Sequence, residues 1–214
     1  MGKLIKRMFD FAFALLAIAP GFLLLLLGMI VVKIVSPEVS PIFKQVRVGY
    51  KGIHFTLYKL RSMTDGRDEC GNLLPDKLRL KKWGKIIRAT NMDELFQIWN
   101  ILTGTMSWIG PRPLLPNEML VMSEEEQRER QSMRPGITGW EAVHEEMSET
   151  RSEMAQFDLY YIKNWSLLLD CQIFFKTIVI ISFKLRPDDS VRAPKILQSE
   201  IKTNKEFVEY NGNR

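Results

Sequence analysis

The chain has 214 residues, 46% of them hydrophobic, with 30 Lys+Arg against 25 Asp+Glu, and that length suits one globular core of about 100–200 residues with attachments. Cys70 and Cys171 form no metal spacing or disulfide framework, and His54 and His144 are solitary, which fits a reducing compartment and argues against a zinc site or a Ser-His-Asp triad. Residues 1–62 carry a net charge of +7, leaving −2 for the remainder, so the basic excess reads as attraction to anionic headgroups and phosphate-bearing ligands, not as a nucleic-acid footprint.

Residues 11–32 hold no charge, and 22 helical residues reach about 33 Å, enough for a hydrocarbon core of about 30 Å. The stretch is too long for a signal peptide and leads into basic sequence instead of a cleavage site, so it is expected to be retained. Pro20-Gly21 lies in its middle, where proline removes a helical hydrogen bond and clashes with the preceding turn. Both flanks are basic, with Lys3, Lys6 and Arg7 before and Lys33 through Arg61 after, whereas a spanning helix carries its excess on the cytoplasmic side alone. A helix-break-helix hairpin, broken at Pro20, that enters one leaflet and returns satisfies length, break and charge together. A kinked spanning helix stays open as the alternative.

Alternation around Gly49 and Gly52 predicts two short extended segments over residues 41–62, with Lys44, Arg47, Lys59 and Arg61 as a headgroup-facing rim. A loop rich in Asp, Gly and Asn runs from Thr64 to Pro75, then a helix is expected from Asp76 to Ile87. Leu95, Ile98, Trp99 and Leu102 recur at helical spacing and Gly104 closes them, so Asp93 and Glu94 fall in the first turn of a further helix. Thr90 with Asp93, or Asn91 with Glu94, can serve there as a capping box. Ser123 with Glu126 opens another helix in the same way.

Between these helices, Ser107-Trp108-Ile109-Gly110-Pro111-Arg112-Pro113 pins one arginine between two prolines, and a stiffened turn of that kind suits a bidentate phosphate clamp. Arg134-Pro135-Gly136-Ile137-Thr138-Gly139-Trp140 is a second pinned loop. The apolar run 165–185 is interrupted by Asp170 and Lys176, which predicts an amphipathic helix on the membrane or against the core. The expected architecture is mainly α with short extended segments: a re-entrant membrane helix at 1–35, a small cytoplasmic α/β globule with interfacial amphipathic helices at 36–185, and a loosely ordered tail at 186–214.

Six collinear segments carry a resemblance. They are Lys6-Arg7-Met8-Phe9-Asp10, Phe43-x-Gln45-x-Arg47-x-Gly49, Tyr58-Lys59-Leu60-Arg61-Ser62-Met63, Met92-Asp93-Glu94-Leu95, Met106 through Pro113, and Arg134 through Trp140. Together they resemble the small bacterial monotopic phosphoglycosyl transferases. The resemblance implies transfer of a phosphosugar from a UDP-sugar to a polyprenol phosphate such as undecaprenyl phosphate, releasing UMP, at the cytoplasmic face of the inner membrane. It implies Asp93 as nucleophile forming a covalent phosphosugar adduct, Mg²⁺ held at Glu94 and Asp93, and a membrane helix broken at Pro20. Arg112, Lys59, Arg88 and Arg134 are the candidates for holding phosphates. Membrane lipids, downstream glycosyltransferases and a second copy of the chain are the partners such a role admits.

One departure stands out. After Gly139-Trp140 the family usually reads Ala-Gln-Val-Asn-Gly-Arg, whereas this chain has Glu141-Ala142-Val143-His144-Glu145-Glu146. Glu146 thus replaces an arginine, so either the loop turns away, or the substrate differs, or activity is impaired. A non-catalytic membrane scaffold on the same fold is the alternative this reversal supports, and Arg151 is the candidate to replace the missing charge.

Overall fold

The computed structural model describes residues 2–144 and 150–184. Glu145, Glu146 and the tail expected at 186–214 lie outside the described residues. Among those described, helices dominate and the strands form two small two-stranded sheets, as the sequence predicts.

Helix α1 (Gly2–Val35) is long and apolar enough to cross a membrane. Its buried positions are Asp10, Ala14, Gly21, Leu25, Gly28 and Val32, one stripe at helical spacing. Each meets the globule in turn. Oδ1 of Asp10 accepts from Ser107 Oγ at 2.9 Å and from the Trp108 amide at 3.0 Å. Ala14 packs with Phe55, Leu57, Ile98, Ile101 and Met106, while Leu25 and Val32 join Val39, Leu60 and Ile87. A Cβ on Gly28 would meet Leu60 Cδ2 at 2.6 Å, so a larger residue there would have to push the Leu60 side chain aside. The break expected at Pro20 does not interrupt the helix, which runs through the proline. Pro20 is exposed, and the turns on either side of it are held on the globule through Ala14 and Gly21. That packing opposes the local loss of a hydrogen bond.

Strands β1 (Ile42–Val48) and β2 (His54–Leu60) pair antiparallel, from Ile42 opposite Leu60 to Val48 opposite His54. Alternation sends Phe55 and Leu57 to one face, into the cluster with Ala14, and Leu60 to the other, into the cluster with Val32. The helix expected over 76–87 is two pieces, α2 (Asp76–Arg79) and α3 (Lys82–Ala89), separated by extended Leu80 and Lys81. Tertiary contacts override the local helix preference here: Thr64 N donates to Arg79 O at 3.2 Å, and Gly84 lies so close to the Ser62 carbonyl that a Cβ would collide with it.

After α4 (Gln97–Leu102), β3 (Ser107–Ile109) pairs in parallel with β4 (Gly136–Thr138). Helix α5 (Glu124–Arg130) lies between them in sequence and opens with the expected capping box of Ser123 and Glu126. Helix α6 (Arg151–Lys163) sends Phe157, Asp158 and Tyr161 inward, and α7 (Leu167–Lys184) does so with Leu169, Asp170 and Ile173. Leu168, Phe174, Phe175 and Ile178 stay exposed on α7. Lys6 Nζ, Tyr161 OH and Trp165 Nε1 all donate to the Asp170 carboxylate, at 2.7, 2.6 and 3.2 Å, tying α1 to α6 and α7. The charged Asp170 that interrupts the apolar run is therefore the anchor of this helix, not a solvated residue.

Candidate active site

The turn between α3 and α4 carries the acid pair. Helix α3 ends where Asn91 adopts a left-handed conformation (φ 52°), which asparagine tolerates better than other non-glycine residues. The chain then winds tightly: Met92–Glu94 is a 3-10 turn, and the amides of Glu94, Leu95, Ile98 and Trp99 donate to carbonyls three residues back. Neither expected capping box forms. Asn91 makes no side-chain cap bond, and Thr90 Oγ1 donates backwards to Ile86 O and Ile87 O at 2.9 and 3.1 Å. Asp93 and Glu94 therefore do not cap a regular helix, and the dipole of a helix beginning behind them, expected from the sequence, is replaced by a short turn whose amides are already engaged.

Glu94 lines a polar cleft together with Arg47, Lys59, Gln97, Arg112, Thr138 and Glu141. Lys59 Nζ donates to Glu94 Oε1 at 3.3 Å. Asp93 sits beside this wall, partly buried. Its burial pushes its pKa up to about 6, the adjacent Glu94 charge adds to the rise, and Lys59 and Arg88 oppose it. Arg88 is fixed by Nε donating to Ser62 Oγ at 3.0 Å. Arg134 is engaged elsewhere: Nε donates to Gly104 O at 2.8 Å, and the guanidinium lies 5.0 Å from the Tyr50 ring centre. The cleft thus gathers Lys59, Glu94 and Arg112, with Arg88 acting on Asp93 from behind, while Arg134 is not among its lining residues.

The Arg112 turn is held at nearly every backbone polar group. Gly110 N donates to Thr138 O, and Pro111 O accepts from Gly136 N, both at 2.9 Å. Arg112 N donates to Asp158 Oδ1 at 3.2 Å, Arg112 O accepts from Arg130 Nη2, and Pro113 O accepts from Arg47 Nη1 at 2.8 Å. The glycines of the two pinned loops permit this, since a Cβ on Gly110 would strike Arg134 O and one on Gly139 would strike Gly110 O. From this frame the Arg112 side chain projects 45% exposed, with Nη1 3.9 Å from the buried Glu141 carboxylate.

The cleft roles of Arg47, Gln97 and Glu141 and the supporting roles of Arg130 and Asp158 are not among the site roles expected from the sequence. Arg47, read with the headgroup-facing rim, and Lys59, read both with that rim and as a phosphate candidate, line the cleft because strand alternation turns them to it. Gln97, only 2% exposed, and Glu141 also line the cleft, and Arg130 and Asp158 support it. The sequence signals were Arg47 within the Phe43-to-Gly49 segment and Lys59 within the Tyr58-to-Met63 segment; Gln97, Glu141, Arg130 and Asp158 are distant in sequence. Glu146 and its expected charge reversal lie outside the described residues.

No group of three or more His, Cys, Asp or Glu gathers among the described residues, so no all-protein metal cage is built there. The adjacent carboxylates Asp93 and Glu94, one lining the cleft and the other raised toward neutrality by burial, do fit a hard divalent cation shared with substrate phosphate oxygens.

A carboxylate pair thus lies beside a cation-lined cleft, on a chain with a helix long and apolar enough to cross a membrane. The chain belongs to the bacterial sugar transferase family, whose model matches residues 1–184. It is 40% identical over 200 residues to the uncharacterized sugar transferase EpsL of Bacillus subtilis (strain 168), a match covering 92% of this chain and 97% of that protein. It is 39% identical over 187 residues to the UDP-N-acetylgalactosamine-undecaprenyl-phosphate N-acetylgalactosaminephosphotransferase of Aeromonas hydrophila, covering 81% of this chain and 43% of that one. It is 35% identical over 190 residues to the UDP-glucose:undecaprenyl-phosphate glucose-1-phosphate transferase of Escherichia coli (strain K12), covering 83% and 40%. The chain spans about two fifths of the length of the latter two relatives.

Proposed function

We propose that this enzyme transfers a sugar phosphate from a UDP-sugar to a polyprenol phosphate, undecaprenyl phosphate by analogy with its relatives, at the cytoplasmic membrane face. The observation that carries the reading is the partly buried Asp93, adjacent to Glu94 and beside the cleft that Glu94 lines with Lys59 and Arg112. A carboxylate attacks an anionic phosphate only where positive charge offsets the repulsion, and this cleft supplies it.

In the first step an Asp93 oxygen bonds to the sugar-bearing phosphorus, and the bond from that phosphorus to the bridging oxygen breaks, UMP leaving with the electron pair. In the second, an oxygen of the polyprenol phosphate attacks the same phosphorus and the acyl-phosphate bond breaks, restoring the Asp93 carboxylate and giving polyprenol diphosphate-sugar. Lys59 and Arg112 hold the diphosphate and Arg88 steadies the charge on Asp93. Glu94, with Asp93, would hold Mg²⁺, which when bound neutralises phosphate charge.

The same reading takes α1 as the membrane anchor of a monotopic protein. Contacts from Asp10 to Val32 keep about 33 Å of helix against the globule, a length comparable to the whole hydrocarbon core. A helix crossing the bilayer would carry that globule into the lipid beside it. The exposed apolar faces of α1 and α7 then meet lipid, with residues 1–35 and 36–185 acting as anchor and catalytic unit.

Purified full chain given UDP-glucose or UDP-N-acetylgalactosamine, undecaprenyl phosphate and Mg²⁺ tests the reaction. UMP release together with an intact-mass increase of one phosphosugar, absent in Asp93→Asn, is the expected result, and it would also set aside the scaffold alternative. UMP release that persists in Asp93→Asn would remove Asp93 as nucleophile.

A further inference from the structure

Arg130 and Asp158 are not among the cleft's lining residues, yet both grip the backbone of a residue that is. They are 4% and 2% exposed. Arg130 Nη2 and Nε donate to Asp158 Oδ2 at 2.6 and 3.1 Å. The other Asp158 oxygen accepts from Arg112 N at 3.2 Å, and Arg130 Nη2 also donates to Arg112 O. The pair therefore closes on both peptide groups of a single residue from α5 and α6, elements with no other part in the cleft.

Fold stability alone does not account for it. A buried ion pair carries a desolvation penalty that apolar residues of similar volume often match or better, and Met119, whose sulfur lies 3.8 Å from Arg130 Nη1, belongs to an apolar cluster with Leu114, Met122 and Ala155 that can accept them. We propose that Arg130 and Asp158 are positioning residues for donor binding, acting through Arg112. With Arg112 N and O fixed, and Glu141 3.9 Å from Nη1, the guanidinium is presented to the diphosphate in one orientation and little freedom is lost on binding. This rests on the reading of the cleft as a UDP-sugar site.

The test is the affinity of the full chain for UDP, the diphosphate common to the donors, measured by calorimetry with Mg²⁺. Replacing the pair together, Arg130→Met with Asp158→Leu, is expected to leave the melting temperature unchanged or higher while weakening UDP binding about tenfold. In an Arg112→Ala background the same pair of substitutions is expected to add less than about twofold, because the residue they position is already gone. A purely structural pair gives the opposite pattern, with stability and affinity falling together and losses multiplying in both backgrounds. Wild-type affinity in the paired variant overturns the proposal. If that variant does not fold, Arg130→Lys takes its place: one ammonium cannot reproduce the fork that reaches both Asp158 and Arg112 O, so unchanged UDP affinity there overturns it equally. A wild-type chain that does not bind UDP removes the underlying reading, whereas normal binding weakened by Arg112→Ala but not by the pair removes the positioning role alone.

Discussion

Lys59 Nζ stands 3.3 Å from Glu94 Oε1, and the same ammonium is the foremost influence drawing the pKa of Asp93 back down against burial. One cation therefore serves two consecutive carboxylates. Its place follows from the strand: Leu60 is buried with Val32 of α1, so alternation turns Lys59 the other way, into the cleft.

Lys59→Met is expected to lower transfer by at least about a hundredfold, since a charged donor is lost at the phosphate. It also removes the stabilisation of ionised Asp93, so the acid limb of the pH-rate profile moves to higher pH. Rates across pH 5–9 read both effects; a lower rate with an unmoved limb would confine Lys59 to substrate binding.

Asp93 has a folded pKa raised to about 6 from 3.8, so the native state binds more protons than the unfolded state between these values. Stability contributed by the neutral carboxyl is present below the unfolded value and is lost as pH rises toward 6. Asp93→Asn should therefore melt higher than wild type at pH 7.5, by at most about 3 kcal/mol, with the gap closing below pH 4. Differential scanning calorimetry at the two pH values checks this. Transfer activity runs the other way, falling as pH drops through about 6 because the nucleophile becomes protonated.

Arg112 projects a planar fork from a clamped backbone. Arg112→Lys keeps the charge and loses the bidentate geometry, so it is expected to raise KM for the UDP-sugar about tenfold and to recover little of the loss seen in Arg112→Ala. Steady-state kinetics on the three proteins decide whether charge or geometry matters here.

Gly110→Ala places a methyl against Arg134 O, backbone that cannot rotate aside. The β3–β4 pairing must open to admit it, with a loss of about 1–3 kcal/mol and reduced UDP binding through the displaced Arg112 turn. Thermal melts and UDP titration measure both; a melt within a degree of wild type would contradict the close packing of these two loops.

Much of this architecture is legible in the amino-acid sequence. Periodicity marked α1, α7 and the β1–β2 hairpin, because a buried stripe or an alternating face is a local pattern. The Ser123 capping box was readable for the same reason: both partners lie three residues apart. The single helix expected at 76–87, the capping of α4 by Thr90 or Asn91, and the break at Pro20 were not met, since in each case contacts distant in sequence replaced the local preference.

The sequence by itself determined the chemical vocabulary: a carboxylate pair, a proline-pinned arginine, a basic hairpin and an apolar helix, in the order that marks the family. Only the tertiary structure decided which cations face the carboxylates. Lys59 and Glu94 are 35 residues apart and Arg112 and Asp158 are 46 apart, and such pairs are chosen by how strands, loops and helices pack, which no local periodicity encodes. Burial, likewise a property of the packed chain, is what raises the pKa of Asp93 from the ordinary carboxylate range to about 6.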